Sequence, residues 1–396
     1  MQKFEYYSPT QLVFGLDCIK GKLSQEIKSR GYHKVLMTYG GGSIKRNGLY
    51  DLVKAELNAA GCTVFELSGI EPNPRVTSVD AGAKICKEQS VDLVLAVGGG
   101  STMDASKAIC AAACYDGPAW DLVLDHSKIK AALPLFTINT IAATGSEYDS
   151  AGVITNWDTK EKLPIGSSLL WPVVSFLDPS LTYTVPANQT IAGSCDMMSH
   201  FFEVYFVRDL SPIAQGLIEA AERIAITYTP IALKDPKNYE ARAKLLWAST
   251  LGCNGFANLG STGSIFPCHA IEHEVSAYYD ITHGIGLAIL TPRLLRFWLE
   301  KDPSVAPRYV DLATNIFGLR RENYESEAAL IEAGLKALED FYASLGIPSG
   351  LSKLGITNEH FAAMAEHIKT HWIGSFDYCF VPMTNEDIVT VLERSL

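Results

Sequence analysis

Short runs of β-branched and aliphatic residues alternate with longer helix-compatible stretches through the first half of the chain. Lys34-Val-Leu-Met-Thr-Tyr39 is β-prone and stops at Gly40-Gly-Gly-Ser43, after which a helical pattern runs to about Ala60. Cys62 to Leu67 reads as a second strand, and Val76 to Glu88 as a helix. Val91-Asp-Leu-Val-Leu-Ala-Val97 is a nearly continuous apolar strand ending at Gly98-Gly-Gly-Ser101, with helix again from about Asp104 to Cys114. Leu135 to Asn139 is another strand and leads into Thr140-Ile-Ala-Ala-Thr-Gly-Ser-Glu147. Such alternation predicts right-handed βαβ crossovers and a mostly parallel sheet.

The pattern changes after about Pro186. Ile213 to Thr229, Tyr239 to Gly252 and Glu325 to Leu345 are long helical stretches, punctuated by Gly and Pro. The expected organisation is an α/β domain over residues 1–187 and an all-helical domain over residues 188–396.

Composition narrows the class of protein without naming a function. Hydrophobic residues make up 47% of the 396 and charged residues 19%, a globular balance with enough apolar surface for a sizeable core. The formal net charge is −11 with no Lys/Arg stripe, which argues against a nucleic-acid partner. Nine cysteines, an odd number scattered from Cys18 to Cys379 with no Cys-x-x-Cys, fit reduced thiols better than a disulfide framework. The opening MQKFEYYSPTQLVFG lacks the basic and apolar regions of a secretory signal. No apolar run approaches the ~18 residues of a membrane span. A cytoplasmic protein without membrane partners is expected.

Two glycine-rich turns each follow a predicted strand and precede a helix, the arrangement by which backbone N–H groups hold a phosphate. Neither keeps the G-x-G-x-x-G register, because the sixth positions are Lys45 and Met103, and no Gly-Lys-Ser/Thr follows. Each can therefore be read as a tight turn or as a phosphate loop. One functional reading makes Gly40, Gly41 and Gly42 the pyrophosphate loop, with Glu66 at the end of the next strand as the ribose ligand.

The helical half carries a sharper signal. Asp196 and His200 lie four apart, as do His269 and His273, and His283 follows before Gly284. Residues i and i+4 share a helix face. Two such helices can surround one ion, and a carboxylate with imidazoles suits Zn²⁺ or Fe²⁺. His273-Glu274 does not begin a metalloprotease motif, since Ala277 occupies the position of its second histidine. His367 and His371 repeat the spacing without a matching acidic pair and are left out of the candidate set.

These segments together resemble the iron-containing (group III) alcohol dehydrogenases over nearly the whole chain, most closely a butanol-dehydrogenase-like branch that uses NADPH. The resemblance rests on Gly98 to Lys107, Thr140 to Glu147, the run Leu177-Asp178-Pro179, the pair Asp196 and His200, and His269-Ala-Ile-Glu-His273 continuing to His283 and Gly284. It implies a dinucleotide-binding domain followed by a helical domain, the architecture shared with dehydroquinate synthase, usually as a homodimer. It implies that Asp196, His200, His269 and His283 hold one divalent metal, Fe²⁺ or Zn²⁺, with His273 close by. Gly98, Gly99, Gly100 and Ser101 are then the pyrophosphate loop, and Asp104, Thr140, Thr144, Asp149, Lys162 and Leu181 line the cofactor cleft. Asp149 stands where relatives often carry Asn.

The stretch Tyr39-Gly40-Gly41-Gly42-Ser43, with Lys45 and Arg46 beyond, holds no carboxylate to repel a 2′-phosphate, while Ser43 and glycine N–H groups can donate to one. NADP(H) is therefore expected over NAD(H). The expected reaction is hydride exchange between this cofactor and a short-chain primary alcohol or aldehyde, with His273 as a proton relay or as an orienting hydrogen-bond partner. The alternatives are a glycerol-type polyol dehydrogenase, a dehydroquinate synthase-like lyase and a non-catalytic nucleotide- or metal-binding protein. The lyase is disfavoured because Gly263 to His283 contains no Lys or Arg for a polyanionic substrate.

Overall fold

The central strands of the first half assemble because their side chains are buried on both faces, as the near-continuous apolar runs require. In the computed structural model, which describes residues 1–372 and 374–396, eight strands form: β1 (Gln11–Phe14), β2 (Lys34–Tyr39), β3 (Thr63–Leu67), β4 (Leu93–Gly98), β5 (Leu135–Asn139), β6 (Ala151–Asn156), β7 (Glu161–Gly166) and β8 (Val174–Leu177). Six make one parallel sheet in the order β1-β8-β5-β4-β2-β3, and β6 and β7 form a separate antiparallel pair.

Six helices accompany these strands: α1 (Lys22–Arg30), α2 (Ser43–Arg46), α3 (Leu49–Ala60), α4 (Val76–Gln89), α5 (Gly100–Ala112) and α6 (Trp120–Leu124). Nine follow: α7 (Ala187–Tyr205), α8 (Pro212–Lys234), α9 (Tyr239–Thr250), α10 (Pro267–Tyr279), α11 (His283–Lys301), α12 (Ala306–Asp311), α13 (Glu327–Ser344), α14 (Phe361–His371) and α15 (Asn385–Arg394). The fold is an N-terminal, mostly parallel α/β domain followed by an all-helical region. Among the described residues no helix is long and apolar enough to cross a membrane.

Two hydrophobic clusters fill the two faces of the sheet. One gathers Leu36, Val94 and Ala96 with α4 and α5, and the other gathers Val35, Leu95, Phe136 and Phe176 with α1 and α3. Alternate residues of each strand thus point to opposite layers. The strands β1, β6, β7 and β8 were not among those expected from the hydrophobic pattern. β1 and β8 are only four residues each, and β6 carries a glycine and β7 a proline that blur periodicity.

Contacts divide the chain into two compact units that are not two consecutive stretches. One comprises Tyr7–Thr190 with Ala232–Asn254, and so takes in α9; the other comprises Met1–Tyr6, Ile191–Ile231 and Gly255–Leu396.

Candidate metal centre and cofactor cradle

In the α/β unit the chain runs from β2 outward to β3, then crosses back to place β4 on the other side of β2. The gap between the C-terminal ends of β2 and β4 is therefore the topological switch point, where open parallel sheets bind ligands. Gly40–Ser43 follows β2, Gly98–Ser101 closes β4 and opens α5, and Thr140–Glu147 follows β5 on the next position of the sheet. Register sets these loops side by side, with Tyr39 opposite Val97 and Gly98 opposite Asn139.

The glycines of the second loop are needed for this closeness. A Cβ on Gly99 would lie 2.5 Å from Ile141 Cγ2, and one on Gly100 would lie 2.5 Å from Thr144 Cγ2. No side chain caps the N-terminus of α5, so its first N–H groups are available to an anion. The cradle fits a pyrophosphate by this measure.

The other cofactor candidates fall into two groups. Ser101, Thr140, Thr144 and Leu181 are half-buried around the loops, Gly40 and Gly42 likewise, while Gly41 and Ser43 are exposed. Asp104, Asp149 and Lys162 are buried. Asp104 and Asp149 belong to a network around the fully buried Lys107. Its ammonium donates to Ser146 Oγ at 2.9 Å, to Asp149 and to the carbonyl of Ala151. Ser146 donates in turn to Asp104 Oδ1 at 2.6 Å, and Val153 N donates to Asp104 Oδ2 at 3.0 Å. Burial pushes the Asp104 carboxyl up to about 6 and raises that of Asp149, with Lys107 opposing in both cases. The carboxylate at 149 thus has a cation of its own. Lys107 ties the helix that starts at the glycine loop to the segment following Thr140–Gly145.

In the helical unit, α7 presents Asp196 and His200 on one face, α10 presents His269 and His273, and His283 is the first residue of α11. Asp196 Oδ1 lies 3.6 Å from Nε2 of His200, 3.6 Å from Nε2 of His269 and 3.6 Å from Nε2 of His283. Tetrahedral ligands at bond lengths of about 2.0–2.2 Å are separated by roughly 3.3–3.6 Å. Asp196 Oδ1 and His269 Nε2 are buried without a hydrogen-bond partner. Orphaned polar atoms at that depth are costly unless a cation satisfies them.

The opposite edges of two imidazoles are held by carboxylates. His269 Nδ1 donates to Glu203 and His283 Nδ1 to Glu272. This fixes the tautomer that leaves each Nε2 lone pair turned toward Asp196. Glu203 also accepts from the backbone N–H groups of Cys268 at 2.9 Å and His269 at 3.0 Å, capping α10 from α7. Gly286 leaves room for Glu272, because a Cβ there would come within 2.8 Å of its Cγ. Asp196, Glu203 and Glu272 thus place three buried carboxyl groups around the imidazoles.

Burial and these neighbours pull the ligand-type groups in different directions. Burial pushes His200 down to about 4, but His269 is carried up to about 9 by Glu203 and Asp196 against its own burial. Asp196 is held at about 2, despite burial, by the three surrounding imidazoles. The donor set fits a divalent cation.

His273 stands apart from the 3.6 Å set. Its ring centroid is 5.3 Å from that of His283, 6.1 Å from that of His269 and 5.2 Å from that of Trp372. With Glu272 and His283 it forms a second, overlapping group of ligand-type atoms. Glu203 and Glu272 were absent from the sequence expectation. Both lie three residues after a candidate histidine, a spacing that signals a shared face; their actual partners are histidines on other elements, which spacing alone does not reveal.

This arrangement of switch-point loops and a buried carboxylate–imidazole cluster has direct counterparts. Residues 9–179 match the family described as iron-containing alcohol dehydrogenase, and residues 190–396 match the C-terminal region of the Fe-containing alcohol dehydrogenase family. The chain belongs to the iron-containing alcohol dehydrogenase family, and is accordingly a metal-dependent alcohol dehydrogenase or aldehyde reductase. It is 44% identical to NADH-dependent butanol dehydrogenase A of Clostridium acetobutylicum, with 100% of both chains covered. The crystal structure of NADH-dependent butanol dehydrogenase A from Thermotoga maritima superposes with a TM-score of 0.94 at 37% identity, covering 100% of this chain and 99% of that one. The NADPH-dependent aldehyde reductase of Escherichia coli is 34% identical, over 94% of each chain.

These relatives correct the expected preference for NADP(H) and the assignment to an NADPH-using branch. Four relatives at 43–48% identity are named as NADH-dependent, against 34% for the NADPH-dependent enzyme. The structure supplies the physical reason. The expectation rested on the absence of a carboxylate in the loop after β2, whereas Glu66, the ribose ligand of the alternative reading, stands on the adjacent strand β3. Its carboxylate accepts from Tyr39 Oη at 2.9 Å, Tyr50 Oη at 2.8 Å and Lys54 Nζ at 3.0 Å. Although burial opposes it, these donors hold Glu66 below the usual carboxylate range. Lys45, just beyond that loop, places its ammonium 5.1 and 4.9 Å from the ring centroids of Tyr39 and Tyr50.

Proposed function

We propose that this chain exchanges a hydride between NAD(H) and a short-chain primary alcohol or aldehyde of the butanol/butanal type, with one divalent metal, Fe²⁺ or Zn²⁺, held by Asp196, His200, His269 and His283. The observation that carries the reading is the single oxygen of Asp196 at 3.6 Å from three imidazole nitrogens, two of them backed by carboxylates. Gly98–Ser101 receives the pyrophosphate, flanked by Gly40–Ser43, Thr140, Thr144, Lys162 and Leu181, with Asp104 and Asp149 supporting the cradle from beneath. The names of the relatives at 43–48% identity support the cofactor and the substrate class. The working form is a cytoplasmic homodimer.

When bound, the metal supplies Lewis acidity at a substrate oxygen, and the nicotinamide gives or takes the hydride. Glu203 and Glu272 orient the ligand imidazoles, and His273 carries the proton between the substrate oxygen and solvent.

The test is the initial rate of NADH oxidation with butanal, compared with NADPH, on protein reloaded anaerobically with Fe²⁺ or Zn²⁺. Metal-dependent turnover favouring NADH is expected. His269→Ala should lose metal and activity together, whereas His273→Ala should keep the metal and lose about 10²–10⁴-fold in rate. Turnover of glycerol in preference to butanol, or His269→Ala with full metal content and rate, would overturn the reading.

A further inference from the structure

Two half-buried aromatic side chains, Phe266 and Trp372, stand against the histidine cluster of the helical unit, with half-buried Ile265 beside Trp372. The ring centroid of Phe266 is 5.6 Å from that of His269 and 6.2 Å from that of His200. Phe266 immediately precedes α10 with a φ of 53°, a left-handed conformation unfavourable for a bulky residue. Its backbone N–H is held by Ser264 Oγ at 3.1 Å. Backbone strain of this kind, fixing an aromatic ring on ligand residues, marks a position where side-chain direction matters.

Trp372 reaches the cluster from the end of α14. Its ring meets that of His273 edge to face at 5.2 Å, and its indole N–H donates to the carbonyl of Ile265 at 2.6 Å. Gly374 also lies against Ile265, since a Cβ there would be 2.6 Å from Ile265 Cγ2. The indole is thus locked to the residue before Phe266. Its one polar atom is engaged, and the face it offers is apolar.

We propose that Trp372 and Phe266 form the wall of an alkyl subsite that sets the length of aliphatic chain accepted beside His273. This rests on the function proposed above and adds the residues that select the substrate. A polyol would set its hydroxyls against aromatic and aliphatic carbon, leaving them without partners, whereas an unbranched chain of a few methylenes matches the surface. Trp372 limits length because its ring is tethered at both the His273 and the Ile265 side.

The experiment compares the metal-loaded wild-type enzyme with Trp372→Ala and Trp372→Phe, using unbranched aldehydes from propanal to octanal with NADH. Binding of the matching unreactive primary amides is followed by calorimetry. Removing the ring should raise the octanal-to-butanal ratio of kcat/KM by about tenfold or more, with metal content unchanged; one methylene in an apolar pocket is worth roughly 10–200-fold. The amide affinities should shift in the same order, and Trp372→Phe should stay near the wild-type profile. A profile unmoved in both rate and amide binding would overturn the proposal while leaving the dehydrogenase reading intact. Absence of aldehyde turnover in the metal-loaded wild type would sink that reading, and the amide series would then decide the subsite by itself. If Trp372→Ala fails to fold, Phe266→Leu carries the same expected shift in chain length.

Discussion

At the scale of single residues, the candidate metal centre depends as much on carboxylates that touch imidazoles as on the atoms facing a cation. Aspartate and histidine at i, i+4 were legible in the sequence because a helix repeats every 3.6 residues. Glu272 was legible only as a letter inside the His269–His273 motif. Its partner, His283, is eleven residues away on the next helix, and only the fold brings them together. Glu272 also accepts from Ser276, so its carboxylate is fixed on both oxygens. Replacing it with Ala should weaken metal binding about 10–100-fold, the usual effect of losing such an orienting partner. Glu272→Gln should lose much less, since an amide oxygen still accepts from His283 Nδ1. Competition with a chromogenic chelator measures both, and equal affinities for wild type and Glu272→Ala would remove this residue from the site.

At the scale of elements, His283 is placed by helix packing. It opens α11, and the next residue, Gly284, lies so close to α7 that a Cβ would stand 1.9 Å from the carbonyl oxygen of Ala192. The glycine of the His-Gly motif is therefore a contact point between the helix that supplies Asp196 and His200 and the helix that supplies His283. The sequence shows that glycine without showing what it meets, because the neighbour is ninety-two residues earlier in the chain. Gly284→Ala must push the first turn of α11 away from α7, and the obstacle is backbone that cannot rotate aside. A destabilisation of about 3 kcal/mol is expected, at the upper end for overpacking. Thermal unfolding should fall by several degrees, and bound metal should drop with it as His283 leaves the 3.6 Å set. A variant with native melting temperature and a full equivalent of metal would show that α11 does not set the position of this histidine.

For the whole molecule, the alternation of strands and helices correctly indicated a parallel α/β domain followed by helices, because burial on both faces writes itself into composition. It did not indicate which body each helix joins. The helix α9 reads like its neighbours, yet it packs in the α/β unit. There Thr250 donates to the buried Glu147 at 2.6 Å, and Gly145, with a φ of 74°, has no room for a Cβ beside the carbonyl of Ser249. Arg242 donates to Thr190 at 2.9 Å, and the rings of Trp247 and Phe14 meet edge to face at 6.2 Å. Burial raises the pKa of the Glu147 carboxyl, and the Thr250 hydroxyl counters that rise. Through Glu147 and Gly145, α9 supports the loop Thr140–Glu147 from within the same unit. A fragment covering residues 7–190 therefore lacks part of its own core and should fail to unfold cooperatively or to bind NADH. In the intact chain, Thr250→Val should lower stability by about 1–3 kcal/mol, the effect of leaving a buried acceptor without its donor. Its KM for NADH should rise while metal content stays constant. Cooperative unfolding of the 7–190 fragment with undiminished NADH affinity would mean that α9 contributes nothing to the cradle, and the loop would then owe its shape to the Lys107 network alone.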